Sequence, residues 1–221
     1  MLLDALGTLM TFAPPAPLLR AELRERVGVE VSEASAAAAM KAEIAYYRAH
    51  LHLGRDAAGL AELRRRSAEA MRPALGIDAD GAALTEALVA ALRFRAYPDA
   101  APALRELRGL GLRLIVVSNW DVSLHDRLAE TGLAPLVDGA VASAELGTAK
   151  PDGAIFAHAL ALAGVEPEAA LHVGDSPAED VGGALAAGLR AVLVVRDGAV
   201  GPAPPGVRVI GSLAELPPLV R

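Results

Sequence analysis

Residues 112–119 read LRLIVVSN, an aliphatic run that stops on Ser118 and Asn119. Two further stretches have the same form. MLLD at 1–4 stops on Asp4, and ALHVGD at 170–175 stops on Gly174 and Asp175. Strands buried on both faces of a parallel sheet read as short continuous apolar runs, and open α/β sheets hold their ligands just beyond the carboxyl ends of such strands. Asp4, Ser118, Asn119 and Asp175 are therefore candidates for one crevice. Lys150, in GTAKPD at 147–152, is the cation that can join them.

Working outward, the segments between these runs alternate in texture. APALRELRGLG (101–111), VSLHDRLAETG (122–132), AIFAHALALAG (154–164) and AEDVGGALAAG (178–188) have helical spacing. GAVAS (139–143) and RAVLVV (190–195) read as strands, and VRVI with SLAEL closes the series with a short strand and helix. Strands alternating with helices of this length imply right-handed βαβ units and a parallel sheet. Residues 14–96 interrupt that series with helical patterning alone. Ser32, Asp56 and Asp80 are candidate N-caps there, and Gly54, Pro73 and Gly76 are expected to punctuate the helices. The expected organisation is an α/β Rossmann-like parallel sheet sandwiched by helices, built from 1–13 and 97–221, with an inserted all-helical cap over 14–96. GPAPPG at 201–206 reads as a surface loop.

Composition narrows the chemistry. The 221 residues include no Cys, which excludes disulfides and thiolate metal sites, and only 3% aromatics, so the core should be aliphatic. A net charge of −6 disfavours a nucleic-acid partner. No apolar run approaches a membrane span and the first residues carry no basic leader segment, so a cytoplasmic protein without membrane attachment is expected. Lys150 is one of only two lysines among 21 basic residues, and Asn119 is the sole Asn. So biased a chain keeps these residue types where another would not serve.

Each cluster has its own chemistry. Asp4 ends a strand and precedes a Gly7-Thr8 turn whose amides can bind an anion, which suits nucleophilic attack on a phosphoryl or alkyl carbon centre. Ser118 and Asn119 offer a hydroxyl and an amide to a transferring group. Lys150 precedes Pro151, which favours an extended conformation ahead of a helix, and its ammonium can bridge a carboxylate and a bound anion. GDSPAED (174–180) sets Asp175 at a strand end with Glu179 and Asp180 in the next turn, a pattern suited to Mg2+. The histidines read as structural: His50 and His52 lie two apart on a helix and face differently, and His172 reads as a core residue. Tyr46, Tyr47, Arg48 and Arg55 are equally compatible with substrate contact and with a solvated or packed face.

Taken together and in order, DALGT, VVSN, the lysine of AKPD and GDSPAED resemble the four motifs of the haloacid dehalogenase-like hydrolase superfamily. The helical block resembles the cap of its subfamily IA, so the likeness covers essentially the whole chain. The resemblance implies a nucleophile at Asp4 that forms a covalent aspartyl intermediate, with Thr8, Ser118, Asn119 and Lys150 as further catalytic candidates. It implies Mg2+ held by Asp4, the backbone carbonyl of Leu6, Asp175 and Asp180. Leu6 departs from the pattern, since family phosphatases carry a second Asp there as general acid and base. The implied function is a Mg2+-dependent phosphatase acting on a small phosphorylated metabolite, weakened or made selective by Leu6. A metal-independent 2-haloacid dehalogenase and a catalytically impaired binding protein are the alternatives. A monomer and a homodimer are both compatible with the sequence.

Overall fold

The computed structural model describes residues 1–196 and 205–220. The chain divides into two compact units: Met1–Thr11 with Arg95–Arg221, and Phe12–Phe94. In chain order the strands are β1 (Leu2–Leu3), β2 (Met10–Phe12), β3 (Phe94–Ala96), β4 (Ile115–Ser118), β5 (Gly139–Ala142), β6 (Leu171–Gly174), β7 (Arg190–Val194) and β8 (Arg208–Ile210). The helices are α1 (Pro15–Glu22), α2 (Glu33–His50), α3 (Ala57–Leu75), α4 (Gly81–Ala91), α5 (Ala100–Gly109), α6 (Leu124–Glu130), α7 (Ser143–Leu146), α8 (Gly153–Ala163), α9 (Gly183–Ala186) and α10 (Leu216–Leu219).

In the first unit the sheet order is β5-β4-β1-β6-β7-β8, with parallel pairing throughout. β1 has only two residues, yet it is central: Leu2 and Leu3 pair with Ile115 and Val116 on one side and with His172 and Val173 on the other. Both leucines are fully buried, as the unbroken apolar run requires. One layer of the core gathers Leu2, Ile115, Val117, Val141 and the α8 side chains Ile155 and Phe156. Phe156 is the largest of these and also meets the His172 ring edge-on, with centroids 5.2 Å apart.

The second unit holds α1 to α4. Ser32, Asp56 and Asp80 cap α2, α3 and α4, accepting from the amides of Ser35, Gly59 and Ala82 with Ala83 respectively. Its core is aliphatic, with Leu19, Leu23, Met40, Met71, Leu84 and Leu88 buried together. Among the described residues no helix is long and apolar enough to cross a membrane.

Two details differ from the sequence reading. Pro73 lies inside α3 and does not end it; the stop comes three residues later, at Gly76 with φ 64°. β2 and β3 form a two-stranded ribbon where the chain passes between the units, and Phe12 meets Phe94 edge-on there. Three-residue strands carry too few positions for a period to show. The loop expected at 201–206 lies outside the described residues, apart from a turn at its end.

Phe156→Ala should remove about 3–5 kcal/mol of stability, as burying an aromatic ring and then deleting it does. Urea denaturation measures this; a loss under 1 kcal/mol would show that the α8 face of the sheet is not closely packed.

Candidate active site

The strand order brings the three polar strand ends together. β4, β1 and β6 are neighbours, so Ser118, Asp4 and Asp175 emerge side by side at the carboxyl edge of the sheet. The Asp4 amide continues the ladder, donating to the Val173 carbonyl at 2.9 Å. Asp4, Ser118, Lys150 and Asp180 are all buried.

After Asp4 the chain makes a tight turn. Gly7 has φ 83°, and a Cβ there would collide with the Asp175 carboxylate, so both conformation and space demand glycine. The amide of Gly7 donates to Met10, and those of Thr8, Leu9 and Met10 donate to Ala5. The turn therefore closes on itself, and these amides are not the free anion nest that Gly7-Thr8 suggested. The Leu6 carbonyl accepts none of these bonds. The Thr8 hydroxyl is buried with no hydrogen-bond partner among the described residues, so no hydrogen bond joins it to Asp4.

Lys150 is the hub. Its Nζ donates to Asp4 Oδ1 at 2.6 Å and to Asp180 Oδ1 at 2.5 Å. Ser118 Oγ donates to the same Asp4 oxygen at 3.1 Å. Asp4 Oδ1 is thus held by two donors, and neither of them takes Oδ2. Asn119 braces the lysine from behind: its Oδ1 accepts from the Lys150 amide at 2.7 Å and its Nδ2 donates to the Lys150 carbonyl at 2.9 Å. The same Nδ2 reaches Glu179 at 3.1 Å. The Lys150–Pro151 bond is cis, and α8 follows after Asp152, which caps it.

Asp180 spends both oxygens on the protein. Oδ2 accepts from the Ser176 amide at 2.9 Å, and Oδ1 pairs with His172 Nε2 at 2.9 Å as well as with Lys150. His172 is buried in the core as expected, and that contact gives its ring a polar partner. His172 and Gly174 lie two apart on β6 and share a face, and a Cβ on Gly174 would strike Asp180. Burial holds His172 below its ordinary pKa despite Asp180 beside it. The ring is then neutral with its proton on Nε2, an assignment that follows from the ionised acceptor it faces. An imidazole inside an otherwise apolar strand was the available signal, because an interior polar group needs a partner. His50 is structural as expected, stacked on Tyr46 and bonded to its carbonyl.

The chain is similar to known proteins. A model of the haloacid dehalogenase-like hydrolase family matches residues 1–188. The chain is 43% identical over 105 residues to a phosphoserine phosphatase of Thermus thermophilus, covering 47% of this chain and 42% of that protein. It is 42% identical over 119 residues to the human haloacid dehalogenase-like hydrolase domain-containing protein 3, covering 52% and 47% respectively. The chain thus matches less than half the length of these curated relatives. The structure of L-2-haloacid dehalogenase from Xanthobacter autotrophicus superposes with a TM-score of 0.72 at 26% identity, covering 100% of this chain and 97% of that one.

The charge balance of the site is uneven. Asp4, Asp175 and Asp180 offer oxygens that all lie within 4.8 Å of one another, against the single Lys150 ammonium. Burial alone would lower the Lys150 pKa, but Asp4 and Asp180 outweigh it and keep the ammonium protonated. Burial likewise pushes Asp180 up, and Lys150 with His172 overcomes it and holds the carboxyl low. Asp4 is raised, chiefly by burial. Asp175 is open to solvent on one side, yet packing against the site and the charges of Asp4 and Asp180 push it up to about 7.

A carboxyl whose pKa is raised on folding stabilises the fold at low pH and loses that advantage as pH rises through the folded value. In chelator, Asp175→Asn should therefore gain stability over wild type between pH 4 and about 7 and hold the gain above that. Urea midpoints across pH 4–8 test this, and a difference that is flat or shrinks with pH would contradict the raised Asp175 pKa.

Proposed function

The chain belongs to the haloacid dehalogenase-like hydrolase family, and from that premise we propose that it is a Mg2+-dependent phosphohydrolase acting on a small phosphorylated compound through an aspartyl-phosphate on Asp4. The observation that carries this reading is the asymmetric hold on the Asp4 carboxylate. Oδ1 is taken by Lys150 and Ser118, so the attacking atom is Oδ2.

The donor set fits a divalent cation. Three carboxylates gathered within 4.8 Å share one ammonium, and burial together with the charges of Asp4 and Asp180 raises Asp175. Asp4, the Leu6 carbonyl and Asp175 would hold Mg2+, with Asp180 bound chiefly to Lys150, His172 and the Ser176 amide behind them. When bound, Mg2+ offsets the repulsion among the carboxylates and the charge on the phosphoryl oxygens.

The steps then follow from the residues. Lys150 and Ser118 orient the nucleophile, and Lys150 also supplies positive charge where the phosphoryl group arrives. Asp4 Oδ2 forms a bond to phosphorus as the bond to the leaving oxygen breaks. Leu6 has no proton to give, so groups that depart readily as anions are favoured. Water then attacks phosphorus, the bond to Asp4 breaks, and phosphate leaves. Asn119 keeps the Lys150 backbone in register and acts through it. Residues 12–94, inserted between the Asp4 turn and α5, serve as the substrate-selecting cap. The phosphatases among the relatives support this reading, and a carboxylate cluster able to hold a metal favours it over metal-independent dehalogenation. Leu6 and the full-length likeness to a haloacid dehalogenase favour the second reading, displacement of halide by Asp4.

Hydrolysis of p-nitrophenyl phosphate should require Mg2+ and fall at least 1,000-fold, roughly the scale of losing an activated nucleophile, in Asp4→Asn. Leu6→Asp should raise the rate about 10²–10⁴-fold on substrates with poor leaving groups. Chloride release from 2-chloropropionate in chelator, with no phosphatase activity, would replace this reading with the second.

A further inference from the structure

Arg196, just past the end of β7, takes no part in the steps above. Its guanidinium is nevertheless fixed on three sides. Nη1 donates to Asp99 Oδ2 at 2.5 Å, Nη2 donates to the Thr8 carbonyl at 2.6 Å, and Cζ lies 4.0 Å from the centroid of the Tyr97 ring. Asp99 Oδ2 is itself anchored by Ser212 Oγ at 2.7 Å and the Leu213 amide at 2.8 Å. The Tyr97 amide donates to the Leu9 carbonyl at 3.0 Å. Two successive carbonyls of the turn after Asp4 are thus gripped from one place, and all these groups belong to the first unit.

The arrangement is not what an ion pair alone would adopt. Arginine and a carboxylate ordinarily meet through two parallel bonds. Here Asp99 Oδ1 and Arg196 Nε are buried without a hydrogen-bond partner among the described residues, and the second terminal nitrogen goes to Thr8 instead. The fork is therefore spent on the turn. That turn is closed on itself by the bonds from Thr8, Leu9 and Met10 to Ala5, so holding Thr8 holds Ala5, the residue next to Asp4.

We propose that Arg196 is a positioning residue for the nucleophile: it clamps the turn over residues 5–10 and so sets the orientation of Asp4 Oδ2 and of the Leu6 carbonyl. This rests on Asp4 being the nucleophile. Lysine cannot replace it, because one ammonium on a flexible stem does not span two acceptors while lying on a ring.

The test compares wild type, Arg196→Lys and Arg196→Ala by p-nitrophenyl phosphate kinetics with Mg2+ and by amide hydrogen exchange of the peptide covering residues 1–11. Both variants should lose about tenfold or more in kcat with KM within about twofold, the pattern of misplaced reacting groups. Exchange at Gly7 to Met10 should quicken, and guanidinium ion should restore part of kcat in Arg196→Ala but not in Arg196→Lys. Unchanged kcat, or a loss with neither faster exchange in the turn nor rescue, overturns the proposal. If Arg196→Ala does not fold, Arg196→Lys carries the kinetic and exchange measurements. If wild type turns over no phosphate ester, the functional reading fails separately. Exchange then decides: faster exchange in the turn supports the clamp, and unchanged exchange overturns it.

Discussion

A single buried ammonium sits between two buried carboxylates, and the rest of the site is arranged around that fact. Removing charges from water costs several kcal/mol per ion, and their attraction offsets this only when geometry and further hydrogen bonds are good. Lys150 meets the condition through bonds to Asp4 and Asp180 from Nζ and through Asn119 on both sides of its backbone. Asp180 meets it through Lys150, His172 and the Ser176 amide. Each group is held by others that are themselves held.

The same economy leaves specific atoms available. Of the charged and polar groups that converge at the sheet edge, Asp180 and Asn119 are occupied with holding Lys150. Asp4 keeps one oxygen outside the hold of Lys150 and Ser118, and Asp175 faces it with its charge poorly compensated. Two glycines make the close approach feasible. Gly7 gives way to the Asp175 carboxylate and Gly174 to that of Asp180. Phe156 contributes from behind, against the ring of His172, so core packing and site geometry share residues.

Legibility varied with the range of the interaction. N-caps at Ser32, Asp56 and Asp80 were readable because a cap is a contact within three residues. Asp4, Ser118 and Asp175 were readable as a set because each ends an apolar run, and Lys150 because lysine is scarce in this chain. His172 was readable as a core residue but its polar partner was not, since Asp180 lies eight residues on and across a turn. The Gly7-Thr8 amides were misread for the opposite reason: local closure of Gly7 on Met10 and of Thr8 on Ala5 competed with ligand binding and won. The ribbon of β2 and β3 was too short to leave a pattern.

The sequence by itself determined the alternation of strand and helix, the helical insert, and the chemistry offered at each strand end. Those follow from local rules of periodicity, capping and burial, which act over a few residues. Only the tertiary structure decided which oxygen of Asp4 is held, that Asn119 and Asp180 serve Lys150, that Thr8 offers its carbonyl to Arg196, and that Arg196 closes on the turn from 188 residues away. Such choices depend on the angles and separations between side chains carried at the ends of strands β4, β1, β6 and β7. The strand order β5-β4-β1-β6-β7-β8, and not the sequence spacing, sets those separations.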